Sequence, residues 1–422
     1  MAQLTDDCFA FSGPLLPVAD MERLITERVA PVTETEEVAL TAARGRVLAN
    51  DIAAPLDLPP FDNSAVDGYA VRHGDLDAKA ETRLKIAGRL FAGGAASPPI
   101  QAGQAIRIFT GAPMPAGADT VFMQEDTRED GDSVIVPSGL KRGANRRLAG
   151  EDVRKGSIVL PAGRRLAAQD VALAAAVGLT KLKVRRRVRV ALFSTGDEIV
   201  EPGTPRGDAA LYDANRYLLG GMLERLGAQT TDLGIIKDDP AALASAIAAA
   251  AKDHDLVLTS GGVSTGEADH VRRAVETIGK LWFWRVAIKP GRPVAMGVVG
   301  GSGNGAAFVG LPGNPVAAFV TFARVVRPLL LQLGGAQAEP LTALPVKLAF
   351  DYKKKTGRRE YVRVALRKAA DGTIEAVRHP QEGAGVITSL TETDGLAELN
   401  EDSTAIAKGA TVGFLSYATL MG

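Results

Sequence analysis

The chain has 422 residues, more than one ordinary domain accommodates, so three or four domains are expected. Hydrophobic residues make up 46% and charged residues 23%, a globular balance that excludes wholesale disorder. Lys plus Arg and Asp plus Glu both total 49, so the chain lacks the cation surplus of a general nucleic-acid binder, though a local basic pocket for a small anion stays open.

Cys8 is the only cysteine, which rules out a disulfide within the chain and speaks against a thiolate metal centre or an iron–sulfur cluster. The histidines are scattered, with no zinc spacing. The opening MAQLTDDCFAFSG lacks the basic-then-apolar order of a signal peptide. The longest apolar stretches carry Arg324 and Arg327, or lie near Lys252, and no membrane span is expected. The expected compartment is the cytoplasm.

In chain order, VADMERLITERVA reads as a helix. Residues 55–150 follow, rich in Gly and Pro, with short apolar runs such as AIRIFT, TVFMQED and SVIVP, and read as mostly β. AAQDVALAAAVGL reads as a helix again. The β-rich segment is therefore expected to be inserted into a helical linker domain made of residues 17–54 and 151–183. From 184 to 336 strand and helix alternate. VRVALFS, TTDLGII and DLVLTSGG read as strands, and NRYLLGGMLERLG, AALASAIAAAAK and GEADHVRRAVETIG as helices. NPVAAFVTFARVVRPLLLQLG reads as one long closing helix with Pro315 near its start. This alternation predicts a multidomain α/β protein whose central domain is a doubly wound parallel sheet, where ligands gather at the carboxyl ends of strands. Residues 337–422 (LPVKLAFDYK, REYVRVALRK, TIEAVRHP, TVGFLSYATL) read as short strands of a C-terminal β-barrel or sandwich.

Several loops carry residue types suited to chemistry. In TSGGVSTGEADH a strand ends at Ser260, Gly261 and Gly262 permit a tight turn, and Ser264 opens a helix, a geometry suited to a phosphate or pyrophosphate. Asp269 sits in that helix's first turn, where complementing the helix dipole explains it equally well. In AIKPGRPVAMG, Lys289 and Arg292 bracket a Pro-Gly turn with Arg285 just upstream, a cluster suited to an oxyanion; a solvated turn is the plain alternative. GLPGNPVAAF, with Pro312 and Pro315 around Asn314, is explained by a helix start alone. The acids Asp67, Asp197, Glu198, Asp238 and Asp239 fall in turns. Any one of them reads as a cap, but together in an anion crevice they would call for a divalent cation such as Mg²⁺. Thr110 reads as a ligand contact or a turn residue. Arg146, Arg147 and Asp152 read as domain-boundary ion pairs or site residues.

Taken in order, DNSAVDGYAV, IRIFTGAPMPAGADTVFMQED, AGEDV, STGDEIVEPG, YDANRYLL, LGIIKDDP, SGGVSTGEADH, AIKPGRPVAMG and GLPGNPVAAF resemble the molybdopterin molybdenumtransferase (MoeA) family, which is also similar to the E domain of gephyrin. The resemblance spans nearly the whole chain. It implies four domains, with 184–336 binding molybdopterin, and an elongated homodimer whose site lies between the sheet domain of one subunit and the β-rich insertion of the other. It implies functional roles for Asp67, Thr110, Arg147, Asp152, Glu198, Asp238, Asp269, Lys289, Pro312, Pro315 and Arg363. Arg285 stands where relatives often carry Lys, and Ala384 where Ser is often found. The implied reaction is insertion of molybdate into adenylylated molybdopterin with release of AMP. Mg²⁺ would be held by Asp238 and Asp269, and molybdate drawn to the cations near Lys289 and Arg292. Asp67, Asp238 and Asp269 are the expected catalytic acids. The adenylylating protein of the same pathway is a candidate partner. Rival readings are a tungstate-inserting paralogue, an adenylylating enzyme, a gephyrin-like scaffold and, on the residues alone, a phosphoryl-transfer enzyme.

Overall fold

The computed structural model describes residues 4–5, 7–11, 15–94, 99–262, 270–301 and 305–422. The central domain is a six-stranded sheet in the order Gln229–Ile236, Arg189–Thr195, Leu256–Ser260, Ala306–Leu311, Pro293–Val299, Gly279–Arg285. Strand alternation explains why it is covered on both faces. Val190, Leu192, Leu256 and Leu258 enter one core, while Ala191, Phe193 and Val257 enter another. The first core takes in the helices Val18–Arg28, Asn215–Arg225 and Pro315–Thr321; the second takes in Pro240–Ala251 and His270–Ile278. Pro240 is the first residue of its helix, and the Asp239 carboxylate caps it by accepting the Ala242 N–H at 2.9 Å.

Two features differ from the sequence reading. Pro293–Val299 runs antiparallel to both neighbours, because hairpin connections join it to them where a helical crossover would be needed for a parallel strand. The long closing helix is broken into Pro315–Thr321, a π-helical turn Phe322–Val326, and Arg327–Leu333. Pro328 has no N–H and its ring clashes with the turn before it, so the helix widens there. The same helix corrects the expectation about apolar runs. Residues Pro315–Leu333 are long enough to cross a membrane, with mean hydropathy 1.6, yet 89% of that stretch is buried inside the fold. Its two arginines are neutralised in place, Arg324 by Glu22 and Arg327 by Glu339.

The β-rich segment holds a second six-stranded sheet, running from Thr120–Met123 at one edge through Gly68–Val71 and Gln104–Ile108 to Arg128–Asp130 at the other. Tyr69 and Val71 face one small core and Ala70 the opposite one. The segments flanking it pair with each other, Thr35–Ala39 with Lys181–Arg185 and Ile52–Ala53 with Ile158–Leu160, beside the helix Ala168–Ala176. The chain thus leaves this unit, builds the β-rich sheet and returns. At the C-terminus, Arg359–Lys368, Ile374–Arg378, Leu344–Leu348, Thr411–Ser416 and Gly395–Leu399 close into a barrel, since the first and last strands also pair. The two-residue strand Ile288–Lys289 of the sheet domain extends this barrel beside Arg359 and Glu360.

Candidate active site

The chain runs from Arg189–Thr195 to one neighbour, Gln229–Ile236, and then crosses to the other, Leu256–Ser260. That reversal opens a crevice at the carboxyl ends of the strands. It encloses about 290 Å³, with Ser194, Thr195, Ser260 and Gly261 lining it beside Glu198 and Asn314. Asn215 stitches two of its loops together, donating to Ser260 Oγ at 2.8 Å and to the Gly313 carbonyl at 2.7 Å. Ser260 Oγ in turn donates to the Pro312 carbonyl at 3.3 Å. Ser194 Oγ and Thr195 Oγ1 are buried and have no hydrogen-bond partner among the described residues. Leaving a buried hydroxyl unmatched costs about 1–3 kcal/mol, which a polar ligand in the crevice offsets.

The glycine turn is required by geometry. Gly261 has φ +91°, and a Cβ there would lie 2.6 Å from the Thr195 carbonyl oxygen. Gly262 has φ +66°, and its Cβ would lie 2.5 Å from Val271 Cγ2. Gly261→Ala therefore combines a left-handed backbone with a clash against backbone that cannot yield. The expected result is a loss of about 1–3 kcal/mol in urea unfolding and a fall in substrate affinity of at least tenfold. An unchanged unfolding midpoint would contradict this reading of the turn.

Asp238 follows the strand Gln229–Ile236. Its Oδ1 is buried without a hydrogen-bond partner among the described residues. Burial raises its pKa above the ordinary Asp range, and the Asp197 and Glu198 carboxylates add to this, while His270 and the nearby Thr195 hydroxyl oppose it. His270 Nδ1 lies 2.7 Å from the Asp238 carbonyl oxygen but 4.0 Å from Oδ1. Among the described residues no group of three or more His, Cys, Asp or Glu is arranged to hold a metal. Ser264 and Asp269, both singled out in the sequence, lie outside the described residues.

One buried arginine holds the crevice wall in place. Arg216 is 6% exposed and bonds through Nε to Asp213, through one terminal nitrogen to Asp232 and through the other to Glu201. Asp213 lines the crevice, and Glu201 closes the loop that carries Glu198.

A second cavity of about 260 Å³ lies where the sheet domain meets the barrel, with Lys289, Pro290, Tyr352, Glu360, Arg363 and Ala384 in its wall. Lys289 is not a bare cation there. Its Nζ donates to Glu360 Oε2 at 3.0 Å, and Glu360, 1% exposed, also accepts from Tyr352 Oη at 3.0 Å and Arg358 Nε at 2.8 Å. Burial pushes the Glu360 carboxyl up, but these bonds outweigh it and hold the pKa below the usual range. Arg363 is buried and donates to the carbonyls of Gln381 and Gly383, while its Nε has no partner among the described residues. Burial lowers its pKa. Arg285 and Arg292 are exposed and line neither cavity, so the expected trio of cations does not converge. Pro315 opens its helix, and the next N–H, of Val316, donates to the Ala384 carbonyl at 3.0 Å, tying the barrel loop to the crevice rim.

In the β-rich unit, Asp67 Oδ1 accepts both the N–H and the hydroxyl of Thr110, each at 2.8 Å. These bonds, the backbone one first, lower the Asp67 pKa. Arg147 pairs with Glu151, and Asp152 is exposed. Within one chain the called residues therefore form three groups: Asp67 with Thr110; Glu198, Ser260 and Gly261 in the crevice with Pro312 and Asp238 at its edge; and Lys289 with Arg363. The sequence reading passed over Ser194, Thr195, Asn215, Arg216 and Glu360. The first four lie in quoted motifs, STGDE and YDANRYLL, and their strand-end and helix-start positions were the available signal. Glu360 carried none, because its partner Lys289 is remote in sequence.

A doubly wound sheet with a polar crevice at its switch point, joined to an inserted β-rich unit and a closed barrel, defines a multidomain ligand-binding α/β protein. Family models match in three blocks: the MoeA N-terminal region (domain I and II) over residues 16–178, a probable molybdopterin binding domain over 191–332, and the MoeA C-terminal region (domain IV) over 345–417. A molybdopterin molybdenumtransferase of Haemophilus influenzae is 38% identical over 92% of this chain and 96% of its own length. One from a Nostoc species is 37% identical over 94% and 93%. The crystal structure of a molybdopterin biosynthesis MoeA protein from Pyrococcus horikoshii matches with TM-score 0.80 at 30% identity, covering 96% of this chain and all of that one. The chain belongs to the MoeA family of molybdopterin molybdenumtransferases, and is an enzyme of the transferase class.

Proposed function

We propose that this chain acts in the cytoplasm as a homodimer that inserts molybdate into adenylylated molybdopterin, in a Mg²⁺-dependent reaction that releases AMP. The observation that carries the reading is the switch-point crevice, where buried hydroxyls and a glycine turn meet, with the Asp238 carboxylate, one oxygen of it unmatched among the described residues, at the end of the neighbouring strand. The pterin pyrophosphate lies along Ser194, Thr195 and the Ser260–Gly262 turn, whose backbone N–H groups suit a phosphate.

The donor chemistry at Asp238 fits Mg²⁺. Among the described residues one buried Asp238 oxygen lacks a hydrogen-bond partner, and the carboxylate faces repulsion from Asp197 and Glu198. A small hard cation is commonly held by one or two carboxylates plus substrate phosphates. Asp238 would hold it, with Asp269 as the second carboxylate that the family resemblance suggests. Bound there, the ion supplies neutralisation of the phosphoanhydride charge. Molybdate enters the cavity of Lys289 and Arg363, where the Arg363 Nε is unmatched and the Lys289 ammonium exchanges its Glu360 contact for an oxyanion contact. In the homodimer, Asp67 and Thr110 of one subunit face the crevice of the other. Arg147 and Asp152, at the base of the same unit, and the exposed Arg285 and Arg292 help guide the anionic substrates. The adenylylating protein of the pathway delivers the pterin.

The test is incubation of the protein with adenylylated molybdopterin, Mg²⁺ and molybdate while following AMP. The expected result is stoichiometric AMP release that requires all three; release without molybdate or Mg²⁺ would count against the proposal. Asp67→Asn leaves the carbonyl oxygen that accepts from Thr110 but removes the charge. It is expected to keep the fold by circular dichroism and lower turnover at least ~100-fold.

A further inference from the structure

Another cation-lined cleft is built from segments that neither cavity uses. Arg46, Arg165, Arg185, Arg186 and Arg187 line it, together with backbone at Gly45, Gly227 and Gly334. It lies where the linker strand Lys181–Arg185 hands the chain to the central sheet, and Arg46 is 6% exposed.

Matching each guanidinium to its partners leaves a surplus. Arg46 meets Glu36, Arg165 meets Glu339, and Arg186 meets Asp255 and Glu34. Among the described residues, Arg185 and Arg187 have only carbonyl acceptors, Val32 at 2.8 Å and Gly227 at 2.9 Å. The Nε atoms of Arg185 and Arg186 are buried without a partner among the described residues. Gathering like charges out of water is costly unless an anion joins them. Burial and the nearby Arg46 lower the Arg187 pKa, against the opposing pull of the Glu36 carboxylate. The cleft is much narrower than the two cavities described above and is too small for a nucleoside.

We propose that this cleft binds a compact tetrahedral oxyanion of the phosphate, sulfate or molybdate type, gripped by Arg185 and Arg187. The bound ion braces the joint between the linker strands and the central sheet. Recognition rests on forked guanidinium donors, which match a tetrahedral oxyanion at several oxygens at once. The inference is independent of the reaction proposed above.

The experiment is equilibrium dialysis of the full-length protein against radiolabelled inorganic phosphate at fixed ionic strength in chloride, with sulfate and molybdate as competitors. A saturable site that persists in the Arg363→Gln variant is expected, and the strongest competitor for it identifies which oxyanion the cleft prefers. Arg187→Gln should weaken binding roughly tenfold or more, whereas Arg363→Gln, in the other cavity, should leave it unchanged. If Arg187→Gln does not fold, as judged by circular dichroism, Arg185→Gln carries the same expectation. Absence of saturable binding, or binding that Arg363→Gln abolishes while Arg187→Gln leaves it intact, overturns the proposal.

Discussion

Asp238→Asn is expected to lower molybdenum insertion at least ~100-fold while making the metal-free protein more stable at neutral pH. The two effects have one cause. Burial, with Asp197 and Glu198 nearby, raises the Asp238 pKa above its unfolded value. For an acid shifted upward, the folded state binds its proton more tightly than the unfolded chain, so stability falls as the pH rises through the interval between the two pKa values. The penalty is absent below the unfolded value and complete above the folded one. A neutral Asn removes it, so the melting temperature of the variant should exceed wild type at pH 7 and match it in strong acid. Mg²⁺ should raise the wild-type melting temperature at pH 7 and leave the variant unmoved. A variant that is less stable at pH 7, or one that responds fully to Mg²⁺, would show that Asp238 is a structural residue and not a ligand.

Replacing Arg216 is expected to cause the largest loss of stability. Its guanidinium is the partner of Asp213, whose side chain is 3% exposed, and it also gathers Asp232 and Glu201. Arg216→Leu leaves the Asp213 carboxylate buried with, among the described residues, only the backbone N–H at position 216 to answer it. Breaking a buried pair from one side costs about 3–5 kcal/mol. The loop bearing Glu198 loses its anchor at the same time, so substrate affinity should fall with stability. Urea unfolding measures the first effect and pterin titration the second. Adding Asp213→Asn to the variant should recover part of the stability, because the stranded charge is then gone. A loss below about 1 kcal/mol would place the network among surface ion pairs of little consequence.

The sheet domain was legible because its strands are buried on both faces and read as unbroken apolar runs such as VALF and LVL, punctuated by loops that end at glycine. The inserted unit was legible from its Gly and Pro content and from helix-like sequence on either side. Strand direction was not. Pro293–Val299 has the same apolar character as a parallel strand, and only connection geometry distinguishes them. Gly395–Leu399 escaped because GLAEL is short and opens on a glycine whose Cβ would collide with the Leu415 carbonyl oxygen. The crevice was legible as a set of loops at strand ends. Its internal hydrogen bonds were not, since Asn215 to Gly313 joins residues with no shared local pattern. The charge reading of Lys289, Arg285 and Arg292 overestimated the local field, because the sequence gives no hint that Glu360 folds against Lys289. Asp67 and Thr110 were each named, but that the one accepts two hydrogen bonds from the other emerges only from the pairing of the β-rich sheet.

If Asp67 of one subunit and Asp238 of the other serve a single site, as proposed, intersubunit complementation should restore activity. Asp67→Asn and Asp238→Asn proteins, each inactive alone, are unfolded together, refolded at equal concentration and assayed for AMP release. A mixed dimer then holds one site with both acids intact, so random pairing should restore about a quarter of wild-type activity. Mixtures that reassemble into dimers yet stay as inactive as either variant would contradict the shared site.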